Sequence, residues 1–490
     1  MNRERKPPRI RSMKFNVLMN MILTSSAFLF PMITVPYVSR VLGAEGTGLV
    51  SFAQSVSTYF SLVALLGMSH YGVRACAQVR DDEKELSKTV KELLCILLVS
   101  TTLVFVVFVA CLAFIDKFNS HALLFIEFGL VIWLSSFGVE WFYQALEQYE
   151  YITIRNIAFK LIGLVLMFML VKHVDDYLLY GFIVVISGYG SNLLNIIRLS
   201  HLVDFKIDCK LDPLRHLKPM VYFAMAAISS GMYTQADIVL LGFLGTPRML
   251  GIYQLVAKIK QVMITAVNSV GNVMLPRLSY YRSSDRQQKA EELIAKNLDF
   301  VFIVGMAAIA LIVVCADVIV YIMGGEEFAD SAIPLILISP AVLLSSANVV
   351  LGNHMISNGD EKLWAKINIS GLIVAITLNL VLVPLLGVRG SALSISLCEA
   401  FIFCVRLYEC RRLMRSIAGM LDPIKIVACA SVAGACSKFC FEMSGSMLMG
   451  SLFAVATFSL LYLVLLLVSK EWFVQSLFDG HCRKRKNLKI

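Results

Sequence analysis

Asp237, Lys258 and Lys260 stand in stretches that are otherwise apolar. The turn "GFLGTPRMLG" between them centres near residue 248, so Asp237 precedes it by about eleven residues and Lys258 follows by about ten, which at ~1.5 Å per residue puts both ~15 Å from the turn. A lone lysine at mid-membrane costs roughly 2.5–3.5 kcal/mol, so something must compensate it. One reading is an Asp237–Lys258 ion pair that satisfies both groups. The other is a cationic lining for an anionic substrate, with Asp237 exchanging a proton or an ion. Lys258 and Lys260 lie about 200° apart around a helix, so one can pair while the other faces a cavity.

A second tier comprises Arg40, Arg74, Arg277 and Glu140. Arg74 and Arg277 are either anchors at the inner membrane surface or a pair that grips phosphate, since a guanidinium matches it with two bonds. Glu140, beside Trp141, Phe142 and Tyr143, is an interfacial carboxylate or a coupling site. Pro31 and Pro36 are hinge candidates or mark a static bend.

Other chemistries lack their residues. There is no GxxxxGK[ST] loop for nucleotide phosphates, and the seven histidines are scattered without an HExxH motif or a carboxylate cluster. The twelve cysteines form no CxxC pair and read as small apolar packing residues. The expectation is a protein without catalytic residues, metal or cofactor.

The elements that must position these residues follow from hydropathy. The chain has 490 residues, 58% of them hydrophobic and 16% charged, and a mean hydropathy of +0.75. Residues 15–39, 93–115, 177–197, 331–353, 367–388 and 443–469 contain no Asp, Glu, Lys or Arg. About 20 such residues cross the hydrocarbon layer as a helix, so the pattern predicts an all-α polytopic membrane protein. Fourteen helices are expected, at about 15–38, 48–68, 92–115, 122–144, 153–172, 178–198, 219–243, 250–275, 299–323, 331–355, 366–386, 390–409, 424–441 and 446–469. With both termini cytoplasmic, 36 of the 44 Lys and Arg residues fall in inner connections, including 145–160, as the positive-inside rule requires. The net charge of +10 then reflects topology and anionic headgroups, with no nucleic-acid partner. The first apolar run is too long for a cleaved signal peptide.

The chain also repeats itself. "RVLGAEGTGLVSFAQSV" at 40–56 parallels "GFLGTPRMLGIYQLVAKI" at 242–259. Gly43 aligns with Gly245, Gly48 with Gly251, Gly67 with Gly271, Arg74 with Arg277 and Arg80 with Arg282, all at offsets of 202 to 204. Six helices separate the copies, so both halves have the same orientation, and substrate sites tend to lie between such parallel repeats. The expected organisation is two six-helix lobes, 1–205 and 206–418, followed by a helix pair and basic tail at 419–490.

These strings, with "YGVRACAQVRDD", "EWFYQALEQYEYITIRN" and "VMLPRLSYY", resemble the bacterial polysaccharide flippases of the Wzx/RfbX type, in the MATE-like exporter superfamily. The resemblance implies a V-shaped bundle with a central cationic cavity, lined on the present reading by Lys258, Lys260, Arg40, Arg74 and Arg277. It implies translocation of undecaprenyl-diphosphate-linked oligosaccharide from the cytoplasmic to the outer leaflet of the bacterial inner membrane. Proton or sodium antiport is the implied drive, with Asp237 and Glu140 as coupling candidates. Membrane lipids, a polysaccharide polymerase and glycosyltransferases are the implied partners. The rivals are a lipid II-type flippase and a multidrug exporter; an exporter of cations should line its cavity with carboxylates, whereas the excess near residue 258 is positive. A polymerase or ligase would need large external loops, which are missing.

Overall fold

The computed structural model describes residues 11–206, 210–271, 278, 281, 286–469 and 471–473. Among the described residues all regular structure is helical. By contacts the chain divides into two units, Met1–Gly251 and Ile252–Ile490.

The first unit begins with α1 (Met13–Leu65), capped by the Ser12 hydroxyl on the Phe15 amide. α1 is two helices joined at Gly43, whose φ of 68° and ψ of −176° are non-helical; glycine takes this conformation without a Cβ penalty. Next come α2 (Met68–Gln78), α3 (Glu83–Phe114), α4 (Asp116–Asn119), α5 (Ala122–Phe137), α6 (Glu140–Ala145), α7 (Tyr149–Leu170), α8 (Tyr177–Val185), α9 (Asn192–Leu202) and α10 (Leu214–Leu244). α3 starts where the Asp82 carboxylate accepts from the amides of Lys84 and Glu85, a side-chain cap that satisfies two donors no helical carbonyl can reach. Between α8 and α9, Ile186–Gly190 forms a π-helical turn.

α1 and α7 run parallel. Arg11 pairs with Glu150, the Thr153 hydroxyl donates to the Met19 carbonyl, Lys160 to Ser26 and the Tyr37 hydroxyl to the Val171 carbonyl. The second arm of α1 runs antiparallel to α10. A Cβ on Gly242 would sit 2.2 Å from the Phe52 ring, one on Gly231 2.4 Å from Leu62, and Tyr59 donates to the Met232 carbonyl.

The repeat-equivalent glycines meet at the top of this pair. A Cβ on Gly48 would lie 1.9 Å from the Pro247 carbonyl oxygen, and one on Gly251 1.8 Å from that of Ala44. α10 ends at Leu244, and the Lys117 ammonium accounts for its free carbonyls, donating to Gly242, Phe243 and Gly245 at 3.0, 2.8 and 3.0 Å. Placing a cation there also suits the helix dipole.

α11 (Pro247–Gly271) leads into the second unit, which comprises α12 (Gln287–Gly324), α13 (Ala332–Ser357), α14 (Glu361–Leu386), α15 (Val388–Glu409), α16 (Arg411–Ile417), α17 (Pro423–Met443) and α18 (Met447–Val468). α13 packs on both α12 and α15, while α17 and α18 pack on each other and on α12. The seam of the last pair is Ile426, Ala430, Ala433, Phe458, Tyr462 and Leu466, against Phe302, Ile303 and Met306 of α12. The opposite side of α18 leaves Leu452, Leu460 and Leu463 exposed, as a lipid-facing surface requires.

Twelve helical segments among the described residues are long and apolar enough to cross a membrane, so this is a multi-pass membrane protein. The first, Phe15–Gln78, is 64 residues long and contains the break at Gly43; α10 is not among the twelve. The expected fourteen spans therefore require Phe15–Gln78 to cross twice and α10 to cross once. The expected helices recur close to their predicted positions, but several begin earlier. The connection read as 145–160 is largely helix, because α7 starts at Tyr149, so Arg155 and Lys160 are intramembrane candidates and not loop residues.

Candidate functional site

In the first unit a cavity of about 370 Å³ opens among α1, α7, α8 and the π-helical turn, lined in part by Pro31, Gln54, Lys160, Tyr180, Ser187 and Tyr189. Lys160 lies eleven residues into α7, about 16 Å along its axis. Its ammonium donates to the Ser26 hydroxyl at 2.9 Å and stands 5.7 Å from the centre of the Phe30 ring. Among the described residues no carboxylate forms an ion pair with it. A cation held by a hydroxyl and an aromatic face has no opposite charge beside it and is placed to meet an anion in the cavity. The π-helical turn widens the backbone and carries Ser187, Gly188 and Tyr189 on the cavity wall, and such turns recur at functional sites. α7 approaches it closely at Gly163, where a Cβ would lie 2.5 Å from Ser187.

One turn closer to the start of α7, Arg155 is 4% exposed. It donates to Glu140 at 3.1 Å and lies 5.7 Å from the Tyr151 ring centre, while its Nε and Nη1 have no hydrogen-bond partner. Arg198 stacks on the same ring at 3.9 Å. Val139, in the left-handed region at φ 41°, turns the chain into α6 and sets Glu140 at its first position. Glu140 is thus the counter-ion of a buried arginine.

A third cluster ties α2, α3 and α10 together. Glu92, fully buried, accepts from the Asp212 amide at 2.8 Å, from Arg215 at 2.7 and 3.0 Å and from His216 at 2.9 Å. The other His216 nitrogen contacts the Tyr71 hydroxyl at 2.7 Å. Through these contacts the carboxylate fastens the start of α10 to α3. In the second unit, Asn348 donates to Glu399 at 2.8 Å, and Arg406 donates to Asn368 at 2.8 Å and to the Asn348 carbonyl.

A family model described as polysaccharide biosynthesis protein matches residues 14–282, more than half of the chain. The chain belongs to this family. A second model, MatE, matches residues 223–381. Among curated relatives, the "Putative O-antigen transporter" of Escherichia coli (strain K12) is 24% identical over 406 residues, covering 81% of this chain and 96% of the relative. The "Probable low-salt glycan biosynthesis flippase Agl15" of Haloferax volcanii is 23% identical over 176 residues, 36% of this chain and 37% of the relative. Among solved structures, the lipid II flippase MurJ in an inward closed conformation superposes with a TM-score of 0.71 at 13% identity, covering 92% of this chain and 99% of that one. That likeness shows the fold, in agreement with the MATE-like architecture expected from the motifs.

Within this family member the predicted site residues are distributed as follows. Pro31 lines the Lys160 cavity; Pro36 lies in the same arm of α1, and the backbone break comes later, at Gly43. Arg40 is exposed and donates to the Pro36 carbonyl at 2.9 Å. Arg74 is exposed on α2, and Arg277 lies outside the described residues. Asp237 is 2% exposed; its carboxylate accepts from the Ile238 amide at 3.0 Å and lies near the Tyr59 phenol. Lys258 and Lys260 are half-buried on α11. Asp237 belongs to the first unit and both lysines to the second. Lys160, Arg155, Glu92 and Arg406 were missed because each lies in or beside a stretch read from the sequence as a cytoplasmic connection, where basic and acidic residues are expected. The available signal was helical spacing: Arg155, Phe159, Gly163 and Met167 form one stripe with Lys160 beside it.

Proposed function

We propose that the protein is a flippase that moves undecaprenyl-diphosphate-linked oligosaccharide across the bacterial inner membrane by alternating access, driven by a proton or sodium gradient. The observation that carries the reading is the intramembrane cavity whose cation, Lys160, has no described carboxylate as counter-ion. Membership of a polysaccharide biosynthesis family, and relatives named as an O-antigen transporter and a glycan flippase, support a lipid-linked glycan as the cargo. A transporter with a phosphate-bearing cargo needs cations along the route, a role proposed for Lys160, Lys258, Lys260, Arg40, Arg74 and Arg277. Asp237 and Glu140 are proposed to couple cation movement, and Pro31 and Pro36 to let α1 bend. The proposed layout is two lobes, 1–205 and 206–418, with fourteen spans, both termini cytoplasmic, no catalytic residue, and cargo supplied by glycosyltransferases and handed to a polymerase.

The test is complementation of a flippase-null strain combined with scoring of lipid-linked intermediates. Lys160→Ala should accumulate unflipped intermediate at normal membrane levels, and Lys160→Arg should restore export. Full export by Lys160→Ala would remove the cavity from the route. For topology, in a variant without the native cysteines, an impermeant thiol reagent should label Cys at Thr246 from outside and miss Cys at Asp360.

A further inference from the structure

The first unit holds a further cavity, which the proposed transport route does not use. It has a volume of about 290 Å³ and opens where α1, the α4–α5 turn and the α10–α11 hairpin meet, all within Met1–Gly251. Its floor is apolar and fixed. Leu49, Phe52 and Leu250 are each at most 8% exposed. The Phe52 ring stands edge-on to Phe125 and Phe243, at 5.7 and 5.3 Å between ring centres, and Gly242 lies directly against it. The rim is polar, with Lys117 and Thr246 exposed and His121 half-buried.

That rim carries positive charge without a negative partner. The Lys117 ammonium directs its protons at the carbonyls of Gly242, Phe243 and Gly245, which are neutral. Among the described residues it makes no ion pair, and the cavity walls hold no Asp or Glu. His121 precedes α5 and makes no capping hydrogen bond through its side chain, which leaves its ring N–H for a ligand. The Thr246 hydroxyl accepts from the Met249 amide at 3.3 Å and keeps its own proton to donate. A preformed apolar floor with a few convergent polar groups at one end is the construction of a small-molecule pocket. The volume is about twice the ~150 Å³ that holds one benzene ring, so it takes roughly ten to twelve non-hydrogen atoms. A cationic ligand would meet Lys117 with no carboxylate to offset it, and a neutral one would leave the charge unanswered. A hydrophobic carboxylate suits both ends, with its apolar body on Phe52 and its oxygens at His121 and Thr246 beside the ammonium.

We propose that this cavity binds a hydrophobic carboxylate of about ten carbon atoms, of the medium-chain fatty-acid class. The occupant touches α1, the α4–α5 turn and the α10–α11 hairpin together, beside the close approach of Gly48 to Pro247, so binding braces that crossing. The site goes beyond the glycan-carrying reading and does not rest on it, since none of its side chains is assigned to the cargo.

The experiment is photoaffinity labelling of the full chain in phosphatidylcholine nanodiscs, with labelled peptides read by mass spectrometry. The probes are decanoate carrying a diazirine on its chain and the matching decanol. The decanoate probe should label residues 48–52 and 246–250 saturably, and unmodified decanoate should displace it. The alcohol should label them about tenfold less. Lys117→Met should lose the preference for the acid, and Lys117→Arg should keep most of it. Thr246→Trp, at an exposed position, should close the mouth and abolish labelling of both segments. Equal labelling by acid and alcohol in the wild type would make the cavity a crevice for lipid tails and overturn the proposal. So would labelling that does not saturate, that survives Thr246→Trp or that is unchanged in Lys117→Met. If one variant fails to fold, the acid–alcohol comparison in the wild type still decides. Labelling is read without transport, so failure here and failure of the flippase reading are distinguishable.

Discussion

The two units hold opposite charges in their cavities. The first places an ammonium, Lys160, on a space of about 370 Å³ beside hydroxyl and aromatic groups. The second places a carboxyl, Asp299, on a space of about 190 Å³ whose other walls are apolar. Yet the sequence of one half repeats in the other, down to the glycines of the hairpin turns. The repeat therefore fixes where the backbone turns and how closely helices approach. It does not fix which charge sits between them. Hydroxyl and aromatic groups stand beside the Lys160 cation, whereas the walls around Asp299 are apolar.

That contrast can be broken most sharply at the backbone. Gly48→Ala or Gly251→Ala would push a methyl group into a carbonyl oxygen at less than 2 Å, with no flexible side chain to yield. Overpacking of this kind costs about 3 kcal/mol or more, and the expected outcome is loss of the monodisperse, folded protein in a thermal-shift assay. Gly434→Ala in the second unit, whose nearest neighbour would be 3.6 Å away, should melt with the wild type. Equal destabilisation at all three would mean that the close-approach glycines are not special.

A smaller effect is expected from charge. Glu140→Gln leaves the buried Arg155 guanidinium without its counter-ion, costing roughly 1–3 kcal/mol, and adding Arg155→Met should recover most of that stability in chemical denaturation. Failure of the recovery would give Glu140 a role beyond pairing. Single Lys258→Ala and Lys260→Ala changes should slow export while leaving membrane levels unchanged, as read by glycan surface display, and by less than Lys160→Ala does. A larger loss at α11 than at α7 would move the substrate contact out of the first unit's cavity. The smallest effect belongs to Lys117→Met, which removes the cation from the end of α10 at about 1 kcal/mol and should lower the melting temperature by a few degrees at most.

The spans, the hairpin turns and the family were legible before any coordinates. Charge-free runs of twenty or more residues admit few structures in a bilayer, and glycine at matched offsets has a local cause in the turn it permits. Asp237 was also legible, as a charge in an apolar stretch that proves to be buried. Helix ends were less so: Arg155 and Lys160 looked like the residues of an inner connection until α7 was seen to start at Tyr149.

The sequence by itself determined a polytopic helical protein, its repeat and the turn glycines, because these follow from local composition and from the physics of the lipid solvent. Only the tertiary structure decided which ionisable groups face a cavity and which are already paired. That is a question of register between helices far apart in the chain, such as Ser26 with Lys160 and Glu92 with His216. No local pattern encodes it, since a lysine at a helix end and a lysine on a cavity wall differ only in what the rest of the fold places beside them.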